Sequence, residues 1–154
     1  MRWYPRLKLY KYKARSVCTF DPAECRAVSY GHWTFVKRFT RPDGTSVVLF
    51  NGGRYSRTTS AHQSMVRSQM DALGIEYVVI DIGTARLDDI LGSALNRLWK
   101  QYLELHAIQR RPRCKPRTAE IARVRHSIDV LRSIGVELTG AEVFQMQLKE
   151  QARG

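Results

Sequence analysis

Acidic residues are scarce in this chain: 14 Asp and Glu stand against 26 Lys and Arg, leaving a formal net charge of +12 over 154 residues. Folding does not require such an imbalance, and self-repulsion opposes it. Long apolar runs are also missing, since none approaches the ~20 residues needed to span a bilayer, so a membrane partner is not expected. Residues Met1–Arg6 are basic but lack the apolar stretch and small-residue cleavage site of a signal peptide, which points to an intracellular protein. Cysteine is limited to Cys18, Cys25 and Cys114, an odd number with no evident disulfide framework. Cys18 and Cys25 are spaced too widely for a zinc knuckle, so reduced structural thiols are expected and no metal or other cofactor is assigned. Internal repeats are absent. Apolar residues nevertheless make up 44% and aromatics 10% of the chain, enough for a real core and against wholesale disorder.

The large positive charge implies an anionic partner, most simply nucleic acid, and arginine's planar fork suits phosphate. The charge does not separate DNA from RNA or single from double strands, and oligomeric state is equally open.

The first half reads as strands and the second as helices. Leu7–Lys13 alternates as a half-exposed strand, and Asp21-Pro22 opens a turn or short helical stretch through Cys25. Residues 32–39 and 46–50 flank Arg41-Pro-Asp-Gly-Thr45. There Pro presets φ, Asp folds onto the backbone and Gly accepts positive φ, which predicts a hairpin. Thr58-Thr59-Ser60 precede a helix over 61–73 closed by Gly74, with any of the three hydroxyls able to cap it. Ile75–Ile82 is β-branched and nearly continuous, which predicts a central strand. Beyond Thr84 the period changes to three and four: a helix over 87–108, a second over 118–134 ending at Gly135, and a last one after the Thr139–Glu142 capping box to about residue 151. The expected fold is therefore α+β: a small antiparallel sheet with one packed helix, followed by a C-terminal three-helix extension. The expected division is a basic α+β domain over 1–84 and a helical region over 85–154, with a basic proline-containing linker at 109–117. Both parts are basic, with 13 cations against 6 acids before residue 85 and 13 against 8 after it.

Four segments carry residues suited to chemistry. In Asn51-Gly-Gly-Arg-Tyr-Ser-Arg-Thr-Thr-Ser-Ala-His62, two arginines and three hydroxyls converge on a predicted helix N-terminus, a natural anion site. Arg54 and Arg57 would clamp a phosphate, Thr58, Thr59 and Ser60 would hydrogen-bond it, and His62 lies in the first turn. Ordinary capping is the competing reading of the same hydroxyls. In the strand Tyr30–Phe39, alternation puts Trp33, Phe35, Lys37 and Phe39 on one face and His32, Thr34, Val36 and Arg38 on the other. If exposed, Trp33 or Tyr30 would stack bases while Lys37 and Arg38 held the backbone; otherwise the aromatics are core. Arg110, Arg111, Arg113, Lys115 and Arg117 place five cations in eight residues, an extended arm for phosphates or a solvated linker. Finally, Asp81, Asp88 and Asp89, with Glu76 earlier, are the carboxylates a metal-dependent nuclease would need. The helix dipole explains Asp88 and Asp89 without a metal, and no lysine follows Asp81 at nuclease spacing. No nucleophile elbow or triad signature is present, so no catalytic residue is assigned.

Tyr55-Ser56-x-Thr58-Thr59-Ser60-x-His62, following a Val-Leu-Phe strand, resembles a motif in small uncharacterised bacteriophage-encoded proteins. There a similar Tyr-Ser-x-Thr-Thr-Ser-x-His precedes a helix after an aromatic-rich β region. The match covers about twenty residues. It implies an α+β unit in a phage or prokaryotic setting, hence the cytoplasm of a prokaryotic or infected cell, and brings no catalytic assignment. The expected function is non-catalytic nucleic-acid binding. The alternatives are a phage effector or assembly protein that engages a host or viral nucleoprotein complex, with Trp99, Tyr102 and Phe144 as anchors, and a metal-dependent nuclease.

Overall fold

The structure, a computed structural model, describes residues 7–12, 16–54 and 56–138. The chain divides into two compact units, Met1–Asp89 and Ile90–Gly154. The class is α+β, with most of the helix after the sheet.

The first unit is a six-stranded sheet in sequence order: β1 (Leu7–Tyr12), β2 (Ser16–Asp21), β3 (Arg26–Ser29), β4 (Trp33–Thr40), β5 (Ser46–Asn51) and β6 (Val78–Ile80). Helix α1 (Arg57–Ala72) connects β5 to β6. Strands β1 to β5 are antiparallel, but β6 runs parallel to β5 in the register Leu49↔Val78, Phe50↔Val79 and Asn51↔Ile80. The sheet is thus mixed: a helical crossover is what a parallel pair requires. The β-branched run predicted as a central strand lies instead at the sheet edge and pairs over only three residues.

The turns follow their residues. Gly44, at φ +89°, closes the Pro-Asp-Gly loop, Arg41 N–H bonds the Thr45 carbonyl at 2.7 Å, and Asp43 Oδ1 accepts from both Thr45 N–H and Thr45 Oγ1. The β2–β3 turn is organised by Asp21, whose Oδ1 accepts from Ala23 N–H at 3.1 Å. Helix α1 ends at Gly74 (φ +69°), where Ile75 N–H returns to the Met70 carbonyl, the left-handed termination glycine favours.

A bulge in β4 breaks the expected alternation. Ala27 pairs with Val36 while Val28 pairs with Thr34, so Phe35 is an extra residue. Trp33, Phe35 and Val36 all enter the core with Phe20, Ala27, Phe50 and the α1 side chains Val66 and Met70. Trp33 and Phe35 stack at 5.6 Å, and Phe35 meets Phe50 edge-on at 5.9 Å. Their burial removes Trp33 as a base-stacking group. Past the bulge, Lys37 pairs with Leu49 and Arg38 with Val48, on opposite faces.

Residues 81–89 belong to this unit rather than to a helix. Leu87 N–H donates to the Thr34 carbonyl at 2.9 Å, and Trp33 Nε1 donates to the Thr84 carbonyl at 3.0 Å. This is why the helix expected from residue 87 starts later.

The second unit contains α2 (Gly92–Gln109) and α3 (Thr118–Ser133). Leu98, Trp99, Tyr102 and Leu105 of α2 are buried, as are Val124, Ile128 and Leu131 of α3. Trp99 meets Tyr102 edge-on at 5.6 Å, and the Arg125 guanidinium lies over both rings at 5.3 and 5.5 Å. Trp99 and Tyr102 are therefore interior groups, not exposed anchors. Phe144 and the third expected helix lie outside the described residues. No helix among the described residues is long and apolar enough to cross a membrane.

Candidate functional site

The segment leading into α1 is built by backbone accommodation and buried amides. Asn51 is fully buried with its amide satisfied in four directions: Nδ2 donates to the carbonyls of Gly83 (3.0 Å) and Ala85 (3.2 Å), and Oδ1 accepts from Gly53 N–H (2.9 Å) and Ile82 N–H (3.2 Å). Gln63 of α1 adds Nε2 bonds to the Asn51 and Gly53 carbonyls at 2.7 and 2.9 Å. Gly53 must be glycine for space: a Cβ there would lie 2.6 Å from the Gly83 carbonyl oxygen and 2.8 Å from Asp81 Oδ1. The Asn-Gly-Gly sequence is thus the clasp between the 51–54 and 81–85 segments, not merely a strand break.

Ser56 caps α1, rather than Thr58, Thr59 or Ser60: its Oγ accepts from Thr59 N–H at 3.1 Å. The remaining hydroxyls turn inward or lie half-buried. Thr59 is 0% exposed, takes a hydrogen bond from Ser56 Oγ at 3.0 Å, and lies 3.3 Å from Ser29 Oγ. His62 is also 0% exposed, with Nδ1 2.7 Å from Ser29 Oγ and its ring 5.8 Å from that of Tyr30. Burial holds the His62 imidazole below its ordinary value, so it is neutral inside the fold.

A serine paired with a histidine is the beginning of nucleophilic chemistry, but Ser29 is 0% exposed as well, and no substrate reaches it. Thr59 and His62 are therefore corrected from surface phosphate contacts to a polar clamp joining α1 to β3. Thr58 and Ser60 stay half-buried, and Ser60 Oγ donates back to the Ser56 carbonyl at 3.1 Å. Only Arg54 and Arg57 of this segment are exposed cations. Tyr30 is half-buried, and Tyr55 lies outside the described residues.

Lys37 and Arg38 have local partners. Lys37 Nζ pairs with Asp88 at 3.3 Å and lies 5.3 Å from the Phe39 ring centre; Arg38 donates to Cys25 Sγ at 3.2 Å. Asp88 also accepts from Thr34 Oγ1 and from Arg26 at 2.6 Å. Burial works against the Asp88 charge, but the Thr34 and Lys37 hydrogen bonds and the two cations outweigh it, and its carboxyl sits below the usual range. Asp89 pairs with Arg86 at 3.1 Å, and Asp81 Oδ1 accepts from Gly83 N–H at 2.9 Å. These carboxylates serve local structure separately: no group of three or more metal-ligating side chains occurs among the described residues.

In the second unit, the basic tract is a closed loop, not an extended arm. Arg117 N–H donates to Gln109 Oε1 at 2.9 Å, tying the loop's two ends, while Arg111 N–H and Cys114 N–H form turns to Ile108 and Arg111. Arg113 adopts φ +62°. Pro112 and Pro116 cannot continue a helical ladder, and the loop results. Arg110, Arg111, Arg113 and Lys115 are exposed, and none has an ion pair among the described residues. Arg117 differs, pairing with Glu120 at 3.6 Å.

No protein-family model, curated protein or solved structure matches this chain, so a functional reading rests on its own residues.

Proposed function

We propose that this protein binds nucleic acid through its phosphates, with the Arg110–Arg117 loop as the principal contact, and does not transform what it binds. The observation that carries this is the set of four exposed cations, Arg110, Arg111, Arg113 and Lys115, with no ion pair among the described residues, in a loop whose ends are tied together. Unit charges about 8 Å apart repel by about 0.5 kcal/mol in water. Four cations in one short loop raise its unbound free energy by such repulsion, and a polyanion relieves it while releasing its condensed counterions. Arg54 and Arg57 offer a second exposed pair in the first unit.

Binding is favoured over catalysis because the groups that would act on a phosphodiester are engaged elsewhere. Asp88 holds Arg26, Lys37 and Thr34; Asp89 holds Arg86; the Ser29–His62 pair is enclosed. The test is fluorescence anisotropy of the full chain against short labelled single- and double-stranded DNA and RNA at several salt concentrations. A steep salt dependence with at least one form supports the reading. Absence of binding to all four at low salt would refute it.

A further inference from the structure

The face of the sheet opposite α1 carries a trough of about 680 Å³ running along β3, within the range of small-molecule sites. Its floor is formed by Thr19, Val28 and Thr34, which neighbour one another across β2, β3 and β4. One end is the β2–β3 turn with Asp21 and Glu24; the other is the β3–β4 turn with Gly31 and His32. Arg86 and Asp88, which follow β6, also line it.

Its charge distribution is unusual for so basic a chain. Asp21 stands directly across from Arg26 in the β2–β3 register, yet Arg26 turns away and donates to Asp88 at 2.6 Å and to Thr34 Oγ1 at 3.5 Å. Asp21 is thereby left without its cross-strand cation. Neither Asp21 nor Glu24 has an ion pair among the described residues. The trough thus has an acceptor-rich anionic end, guanidinium groups along its length, the half-buried Thr19 on its floor, and at the far end the exposed His32 ring, 6.3 Å from that of Tyr30.

We infer that this trough binds a nucleotide whose base bears an exocyclic amine, cytosine or adenine. Carboxylates accept hydrogen bonds from such amines, and arginine receives phosphate. In this pose the amine faces Asp21 and Glu24, the ribose lies over Thr19, and the phosphate is held by Arg86 and Arg26. The choice of a nucleotide among ligands bearing both charges rests on the nucleic-acid reading. The ligand is either a free mononucleotide or one unit of a single strand.

Calorimetric titration of the full chain with AMP, IMP, CMP and UMP tests this, with amide NMR mapping of the bound position. AMP is expected to bind about tenfold more tightly than IMP, and CMP than UMP, with shifts in the β2–β3 turn. Glu24→Ala, an exposed turn substitution, should bring each pair to within about twofold; Arg86→Gln should weaken all four alike. Oligo(C) and oligo(U) hexamers separate the sources: a preference for oligo(C) carried into the hexamers assigns the strand, and preference confined to monomers assigns the free nucleotide. No binding at 10 mM, on the order of the weakest measurable association, equal affinity for amine and carbonyl bases, or shifts elsewhere would overturn the inference. If oligonucleotides bind through the 110–117 loop while the trough stays silent, this inference fails and the phosphate reading stands. Monomer binding without oligonucleotide binding does the reverse.

Discussion

Replacing Arg110, Arg111, Arg113 and Lys115 together with Ala perturbs charge in a known way and little else. All four side chains are exposed and lack ion pairs among the described residues, and the loop is closed by the Arg117 N–H to Gln109 bond, which the substitutions leave intact. If each cation neutralises one phosphate, the slope of log Kobs against log salt should become shallower by about 3.6 for duplex DNA and about 2.8 for single strands. Between 50 and 200 mM salt, the wild-type chain should therefore lose about 150-fold more affinity than the variant on duplex, and about 50-fold more on single strands. Anisotropy titrations at four salt concentrations measure this directly. Unfolding by urea, read by circular dichroism, should show a midpoint unchanged or slightly raised, since repulsion is removed. An unchanged slope with an intact fold would place the contact elsewhere and refute the assignment of the loop.

Three further outcomes follow from the first unit. Gly53→Ala should destabilise by about 2 kcal/mol in urea unfolding, because its Cβ would stand 2.6 Å from a backbone oxygen that cannot move aside freely. Wild-type stability should fall as pH drops below about 6.5, since the unfolded chain takes up a proton that the buried His62 resists. The slope is at most about 1.4 kcal/mol per pH unit. Midpoints recorded from pH 7.5 to 4.5 should show it in the wild type and not in His62→Asn, and a slope retained in the variant would exclude His62 as its origin. Asp88, whose carboxyl is lowered, acts in a separate window, stabilising above the usual carboxylate range and losing effect only in stronger acid. Arg67→Ala should cost about 1 kcal/mol through the lost Tyr77 hydrogen bond of 3.0 Å and ring contacts with Phe50 and Tyr77, with no change in salt slope.

Much of the fold is legible where a residue's own chemistry decides a local conformation. Pro42-Asp43-Gly44, Gly74 and Gly135 mark a hairpin and two helix ends because positive φ at glycine needs no tertiary help. Strands β2 and β3 are not legible in the same way. They are short, and their inward residues, Cys18, Phe20, Ala27 and Ser29, mix small and polar groups that make no alternating pattern. The β4 bulge is equally hidden, because an extra residue inverts the faces of Lys37 and Phe39 without altering composition. The Ser–Thr–His motif misleads for a related reason: hydroxyls and imidazole suit phosphate, but they also suit a buried clamp. What distinguishes the two is Ser29 on a different strand, 33 residues from His62. Asn51 carries no signal beyond an amide followed by two glycines, although it organises the clasp.

The same net charge resolves into two populations once partners are known. In the first unit, Arg26 and Lys37 are bound to Asp88, Arg86 to Asp89, Arg38 to Cys25 and Arg67 to Tyr77. These cations are part of the sheet's surface architecture, so removing one also leaves a local partner unpaired. Arg110, Arg111, Arg113 and Lys115 have no ion pair among the described residues, so their removal costs the fold little. Stability and salt slope should therefore vary independently across arginine substitutions: Arg67→Ala moves only the first, the loop variant only the second. A chain whose charge served solubility alone would show neither separation, because every exposed cation would contribute the same weak, form-independent attraction. It is the local absence of counter-charge at Arg110, Arg111, Arg113 and Lys115, rather than the total of +12, that makes the loop the place where a polyanion is expected.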